Sequence, residues 1–209
     1  MSDTKRFHPI YILSILYALF LYCYTVLFFS SVNFDIEYLL AVPIAFLIIE
    51  IIICTVFKNR ISKTQALTAA VIIKYSLIPF FLVGGAFTAI MFLFPTGGMV
   101  IALPITGWII MVCGSPFAIT YYIKAHKENS SLSPLKIFGI VCQFFFSADV
   151  FAVMISSIRE KHFKKLSLAL IIITAVIIFI FVSILIISVF VGSVALIFES
   201  VSEKLCFKV

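Results

Sequence analysis

The sequence predicts an all-α, polytopic transmembrane helical bundle of five or six spans with a broken or kinked fourth helix, and three observations predict it. Hydrophobic residues make up 64% of the 209-residue chain and charged residues only 11%, with a mean hydropathy of +1.26, whereas soluble domains carry roughly 25% charge. The apolar residues fall in long runs, of the ~20 residues that cross ~30 Å of hydrocarbon at about 1.5 Å of rise each. Short basic clusters separate those runs, in the pattern that the positive-inside rule describes. Such a chain is solvated by lipid and has no room for a soluble catalytic domain. It reads as a single integral-membrane domain over residues 1–209.

Segment 1 covers residues 9–31. The charges up to Arg6 give it the order of a signal peptide, but the run is too long and lacks a small-residue cleavage site, so a retained first helix is expected. An acidic turn with Asp35 and Glu37 leads to segment 2, residues 38–57, and a basic loop follows at Lys58, Arg60 and Lys63. The next apolar stretch, 66–94, would be about 43 Å long as a helix, too long for one untilted crossing, so its first third, 66–73, is expected at the interface. After an uncharged turn at 94–98, segment 4 runs over 99–123 and contains Gly114-Ser115-Pro116. Gly can end a helix, Ser can cap the next and Pro suits a first helical position, so a break or kink is expected there.

Lys124, Lys127 and Lys136 flank a polar linker, 128–134. Segment 5, residues 137–158, holds Gly139, Gln143, Ser147 and Asp149 and is basic at both ends, with Arg159, Lys161, Lys164 and Lys165 following. A spanning helix cannot satisfy the positive-inside rule at both ends. Either the rule is broken once, giving six spans, or segment 5 is re-entrant or interfacial, giving five. Segment 6, residues 166–198, is uncharged and about 50 Å long as a helix, so it must tilt or project beyond the bilayer. The tail, 199–209, ends in Cys206-Phe207-Lys208-Val209, the outline of a prenylation box with lysine where an aliphatic residue is wanted, and reads as coincidence. An N-terminus on the cytoplasmic side puts the clusters at Lys5 and Arg6, at 58–63 and at 124–136 inside.

Three charges interrupt the apolar segments: Glu50, Lys74 and Asp149. An intramembrane charge is costly and marks function by default, so these three form the candidate polar centre. Glu50 lies about 12 Å and Lys74 about 16 Å from the basic loop between them, which lets them pair at similar depth. Alternatively, the third span is 75–94 and Lys74 snorkels from its foot to the headgroups. Asp149 is a short carboxylate far from either end of segment 5. Cys142, Asp149 and Ser156 recur at seven-residue spacing and so share one helical face. The competing reading of Asp149 is a protonated or hydrogen-bonded structural residue. Small-xxx-small pairs at Ala66/Ala70, Gly85/Ala89 and Gly114/Ala118 mark segments 3 and 4 as the packed centre.

Several classes are disfavoured. The net charge of +6 is scattered between apolar runs, which suits topology signals and anionic lipid headgroups and gives no continuous nucleic-acid face. Five cysteines lack metal or CxxC spacing and read as small buried hydrophobes. His8, His126 and His162 are too dispersed in sequence to suggest a shared metal site. No GxSxG, HExxH, P-loop or GxGxxG signature occurs, so no cofactor or catalytic residue is assigned.

Residues 74–161 resemble a family of uncharacterised small multi-pass membrane proteins of anaerobic Gram-positive bacteria. The resemblance is carried by Lys74 with Ile78-Pro79-Phe80-Phe81, by Gly84, Pro95 and Gly97, by Gly114 with Ala118, and by Gln143-Phe144 leading to Ala148-Asp149-Val150. It implies a bacterial inner-membrane protein and supplies neither substrate nor catalytic residues. The function expected is a small transporter or the membrane subunit of a transport system. The alternative is a structural or regulatory protein that binds a larger membrane partner or a second copy of itself.

Overall fold

A computed structural model describes residues 9–29, 36–92, 99–128, 133–145 and 148–206. Asp35 of the acidic turn, the whole turn at 94–98 and linker residues 129–132 lie outside them. The described residues form helices α1 (Pro9–Phe29), α2 (Ile36–Val56), α3 (Lys63–Phe92), α4 (Met99–Cys113), α5 (Pro116–Glu128), α6 (Ser133–Cys142), α7 (Ala148–Arg159) and α8 (Lys164–Cys206), and no strand. Pro9–Leu27, Lys63–Gly85 and Lys164–Ile184 are long and apolar enough to cross a membrane, α4 with α5 forms a pair bent by 48°, and Leu40–Val56 is a shorter apolar helix. The sequence reads as one domain, and contacts within the chain group it into two compact units that divide before Phe163.

In the first unit α1 and α3 run parallel. Tyr11 meets Thr68 near their starts, and the rings of Tyr24 and Phe80 meet 5.9 Å apart near their other ends. From α2, Phe46 sets its ring edge-on to Tyr17 at 5.5 Å. The core between these helices holds Ile10, Tyr17, Leu21, Ile73, Leu77 and Ile110, all buried. Ala66, Leu67, Ala69, Ala70, Val71 and Ile73 are also buried, so 66–73, expected at the interface, pack inside the protein. The stretch is the first half of an unbroken α3, and alanines on one face let α3 sit close to its neighbours. Of the small-residue pairs, Ala66/Ala70 and Gly114/Ala118 are inside, while Gly85 is exposed with nothing near its Cβ position. The Ala89 side chain is outside the description.

One end of this unit gathers the basic residues. Lys124 Nζ at the end of α5 donates to the Lys58 carbonyl at 2.6 Å, and Lys63 at the start of α3 pairs with Glu160 after α7 at 3.2 Å. His162 Nε2 and Thr68 Oγ1 are 2.8 Å apart. Since α6 begins a few residues beyond α5, and the end of α7 meets the start of α3, the α6–α7 segment returns to the end it left. Segment 5 is therefore two short helices, 10 and 12 residues long, and not the single helix its apolar run suggests. Cys142 and Asp149 stand on different helices, so only Asp149 and Ser156 share a face.

Local sequence explains where two of these helices stop and start. Ser62 and Gln65 form a reciprocal cap on α3, Gln65 N–H donating to Ser62 Oγ at 3.2 Å and Ser62 N–H to Gln65 Oε1 at 2.9 Å. At the end of α7, His162 N–H donates to the Ser157 carbonyl at 3.0 Å and Lys161 N–H to the Ile158 carbonyl at 3.1 Å. Lys161 takes the left-handed conformation, φ 58°, that this crossed pair of bonds requires. The second unit is α8, 43 residues and about 65 Å long. It begins before segment 6 and runs beyond it. From Leu166 to Phe190 most of its described side chains are exposed.

Replacing Ser62 with alanine should lower unfolding stability by about 1 kcal/mol, read as a shift in the denaturant midpoint by circular dichroism in detergent. Gln65→Ala should cost a similar or smaller amount. The double change should cost less than the sum of the two, because the caps are reciprocal.

Candidate functional site

Lys74 lies a little over three turns along α3, with no exposed surface. Its ammonium donates to Asp149 Oδ2 at 2.8 Å, Ser115 Oγ at 2.9 Å and the Met111 carbonyl at 3.2 Å. All three N–H bonds are thereby used. Snorkelling from the foot of a 75–94 span is corrected: the side chain points inward because three acceptors meet it there. The two interruptions of the first unit supply those acceptors, since Met111 and Ser115 belong to the α4–α5 break and Asp149 to the first turn of α7. Depths agree. Lys74 is about 16 Å from Lys63, Ser115 about 18 Å from Lys127 and Asp149 about 15 Å from Arg159, measured along their helices.

The α4–α5 break follows from its residues. Pro116 has no N–H for the carbonyl four residues earlier and its ring crowds that carbonyl, so the Val112 carbonyl instead accepts from Ser115 N–H at 3.1 Å. Ser115 begins α5 through its backbone, accepting from Ile119 N–H at 3.0 Å, with Pro116 in the first helical position as expected. Its hydroxyl does something the sequence does not suggest. Instead of capping α5 it accepts from Lys74 and faces two carbonyls, Met111 at 3.0 Å and Gln143 at 3.4 Å. Gly114 has no positive φ; it is needed for space, because a Cβ there would meet Ile73 Cγ2 at 2.6 Å and Tyr17 Cε1 at 3.3 Å.

The ends of the broken helices are satisfied by side chains. Tyr17 OH donates to the Ile110 carbonyl at 2.6 Å, and Trp108 Nε1 donates to the Phe144 carbonyl at 3.0 Å in the turn between α6 and α7. Tyr122 OH and Ser156 Oγ, 3.0 Å apart, tie α5 to α7, and Gly139 of α6 sits against the Tyr122 ring where no Cβ would fit. Helix ends also suit the charges. Lys74 meets a carbonyl from the last turn of α4, the negative end of that helix, and Asp149 stands in the first turn of α7, the positive end.

Glu50, in α2, is fully buried. It is close enough to Lys74, Tyr17, Cys54 and Cys113 to interact with them electrostatically. The structure thus brings all three candidate charges into one interior region, and the ion-pair partner of Lys74 there is Asp149. Within the first unit, four buried acceptor atoms have no hydrogen-bond partner among the described residues: Glu50 Oε1 and Oε2, Gln143 Oε1 and Asp149 Oδ1. Gln143, at the end of α6, was legible as a polar residue in an apolar run; Tyr17, which holds the end of α4, gave no sequence signal beyond being one of eight tyrosines. Among the described residues no group of three His, Cys, Asp or Glu could hold a metal. No family model, curated protein or solved structure matches this chain.

Chemically, the arrangement is a fixed cation surrounded by more acceptors than it can fill, with one hydroxyl that can donate to either of two carbonyls. Removing one partner of a buried ion pair costs about 3–5 kcal/mol, whereas replacing both is often close to neutral. Asp149→Asn and Lys74→Met should therefore each lower stability in detergent by about that amount, and the double variant should recover most of the loss. The corresponding cycle of Glu50→Gln with Lys74→Met should show much weaker coupling. Denaturant or thermal unfolding of the three single and two double variants reads both.

Proposed function

We propose that this protein is an integral-membrane transport protein, a small transporter or the membrane subunit of a larger transport system, whose solute path passes the Lys74–Asp149 pair. The observation that carries this reading is the meeting of two interrupted helices at a buried ion pair, about halfway through a ~30 Å core. Interrupted helices are tolerated at membrane depth only where they are buried in protein or line a water-filled cavity, and transporters build substrate and ion sites from such ends. The resemblance of residues 74–161 to small bacterial membrane proteins fits an inner-membrane location.

In this reading α1, α2, α3 and the bent α4–α5 pair each cross the bilayer. The α6–α7 segment is a re-entrant hairpin with Asp149 near its tip, and α8 supplies a fifth crossing. The basic end of the first unit faces the cytoplasm together with the N-terminus, in keeping with the positive-inside rule. A second reading, a regulatory protein that clasps a larger membrane partner, is favoured by α8. Its Lys164–Ile184 window is the most apolar of the three candidate spans.

In a cysteine-free background, single cysteines placed at Arg60 and at Lys161 should both be modified by a membrane-impermeant thiol reagent only from the cytoplasmic side. Labelling of Lys161→Cys from outside would sink the re-entrant hairpin. In proteoliposomes screened against alkali cations, amino acids and sugars, the wild type should move at least one solute class, and Asp149→Asn should lower that flux at least tenfold. Lack of flux for every class, with stable co-purification of a larger membrane protein, would favour the regulatory reading.

A further inference from the structure

Glu50 is the buried charge that the ion pair leaves out. Its two oxygens lack a donor among the described residues, and groups on α1, α3, α4 and α2 itself interact with it electrostatically. From α1 comes Tyr17, whose hydroxyl is committed to the Ile110 carbonyl. From α3 comes Lys74, whose three N–H bonds go to Met111, Ser115 and Asp149. α4 contributes the Cys113 thiol, and α2 itself contributes Cys54 a turn further on, which is hydrogen-bonded to Thr120 of α5. Thiols are weak donors. An ionised Glu50 would therefore sit in a dry interior with no strong donor, which proteins avoid by neutralising the group.

We propose that Glu50 is an exchangeable proton-binding site and that the proton is the coupling ion of the transport reading on which this inference rests. Bound to Glu50, the proton leaves Lys74 to Asp149 alone. When the proton leaves along α2 toward the basic end, about 12 Å away at Lys58, Glu50 becomes a second carboxylate competing for the same ammonium. Lys74 can then turn toward it, and releasing Asp149 frees the first turn of α7 at the hairpin tip. The proton is the only species gained or lost, and no covalent bond beyond O–H changes. The unfilled Asp149 Oδ1 and Gln143 Oε1 then face a site without its cation, where a donor-bearing solute can replace the ammonium.

The test is infrared spectroscopy of the full chain in lipid vesicles at neutral pH, which distinguishes the carbonyl stretch of a protonated carboxyl from the bands of a carboxylate. The wild type should show a protonated-carboxyl band that shifts on transfer to D2O and is lost in Glu50→Gln. The band should persist in the Lys74→Met/Asp149→Asn double variant, where Glu50 is the only one of the three charges left. It should weaken in Asp149→Asn, where the released lysine turns to Glu50 and ionises it. A second readout needs no variant. Dicyclohexylcarbodiimide adds across the O–H of a protonated acid without loss of atoms, so mass spectrometry of the wild type should find the adduct on Glu50, decreasing as pH is raised. A Glu50→Gln spectrum identical to wild type, or no adduct on Glu50, would overturn the proposal. Both readouts report Glu50 whether or not a solute moves, so failure of the flux assay would bear on the transport reading and leave this site standing.

Discussion

The architecture of the first unit depends on one constraint: a fully buried ammonium must keep all three of its hydrogen bonds. Lys74 meets it with a carboxylate, a hydroxyl and a backbone carbonyl drawn from three separate places in the sequence. If segments 4 and 5 were unbroken helices, the Met111 carbonyl would be spent inside its helix and Asp149 would lie mid-span without a helix end beside it. The pair and the breaks therefore require one another. An unpaired charge here would cost about 3–5 kcal/mol, comparable to the whole margin of a domain whose net stability is about 5–15 kcal/mol.

The breaks create their own cost, since lipid offers no water to free backbone groups. Side chains meet it. Tyr17, Trp108, Ser115 and Lys74 together reach the carbonyls of Ile110, Phe144, Gln143 and Met111. Gly114 and Gly139 then let the neighbouring side chains come close enough, each occupying a place where a methyl group would collide with Ile73 or Tyr122. Within the first unit, the buried acceptors left without a partner among the described residues are Gln143 Oε1, Asp149 Oδ1 and both oxygens of Glu50. A site that holds its lysine tightly while leaving those acceptors open is poised to exchange one donor for another.

Composition and run length made the helical membrane character legible, and the three expensive charges were legible because nothing else in their segments resembles them. The break at Gly114-Ser115-Pro116 was legible from Pro116, although Pro43 and Pro79 are carried through α2 and α3 without interruption, so proline alone does not dictate an end. Segment 5 was misleading. An apolar run of spanning length conceals two helices, and the clue was its basic residues at both ends, which a hairpin satisfies and a crossing does not. The choice between Glu50 and Asp149 as partner for Lys74 could not be read from spacing, because both lie at similar depth and only the packing of α7 against α3 decides it. The cap formed by Ser62 and Gln65 was not read from the sequence, and the placement of 66–73 inside the core depends on neighbours that no local pattern names.

The account stands or falls on the contact between Lys74 and Asp149, and dipolar recoupling by solid-state NMR measures it directly in lipid. With 15N at lysine Nζ and 13C at aspartate Cγ, the only aspartates are Asp3, Asp35 and Asp149, so the Asp149→Asn spectrum identifies the signal of interest. The account predicts strong dephasing of the Asp149 carboxyl by a lysine nitrogen in direct contact, abolished in Lys74→Met. An Asp149 carboxyl with no nitrogen nearby, or one whose dephasing survives Lys74→Met, would contradict it.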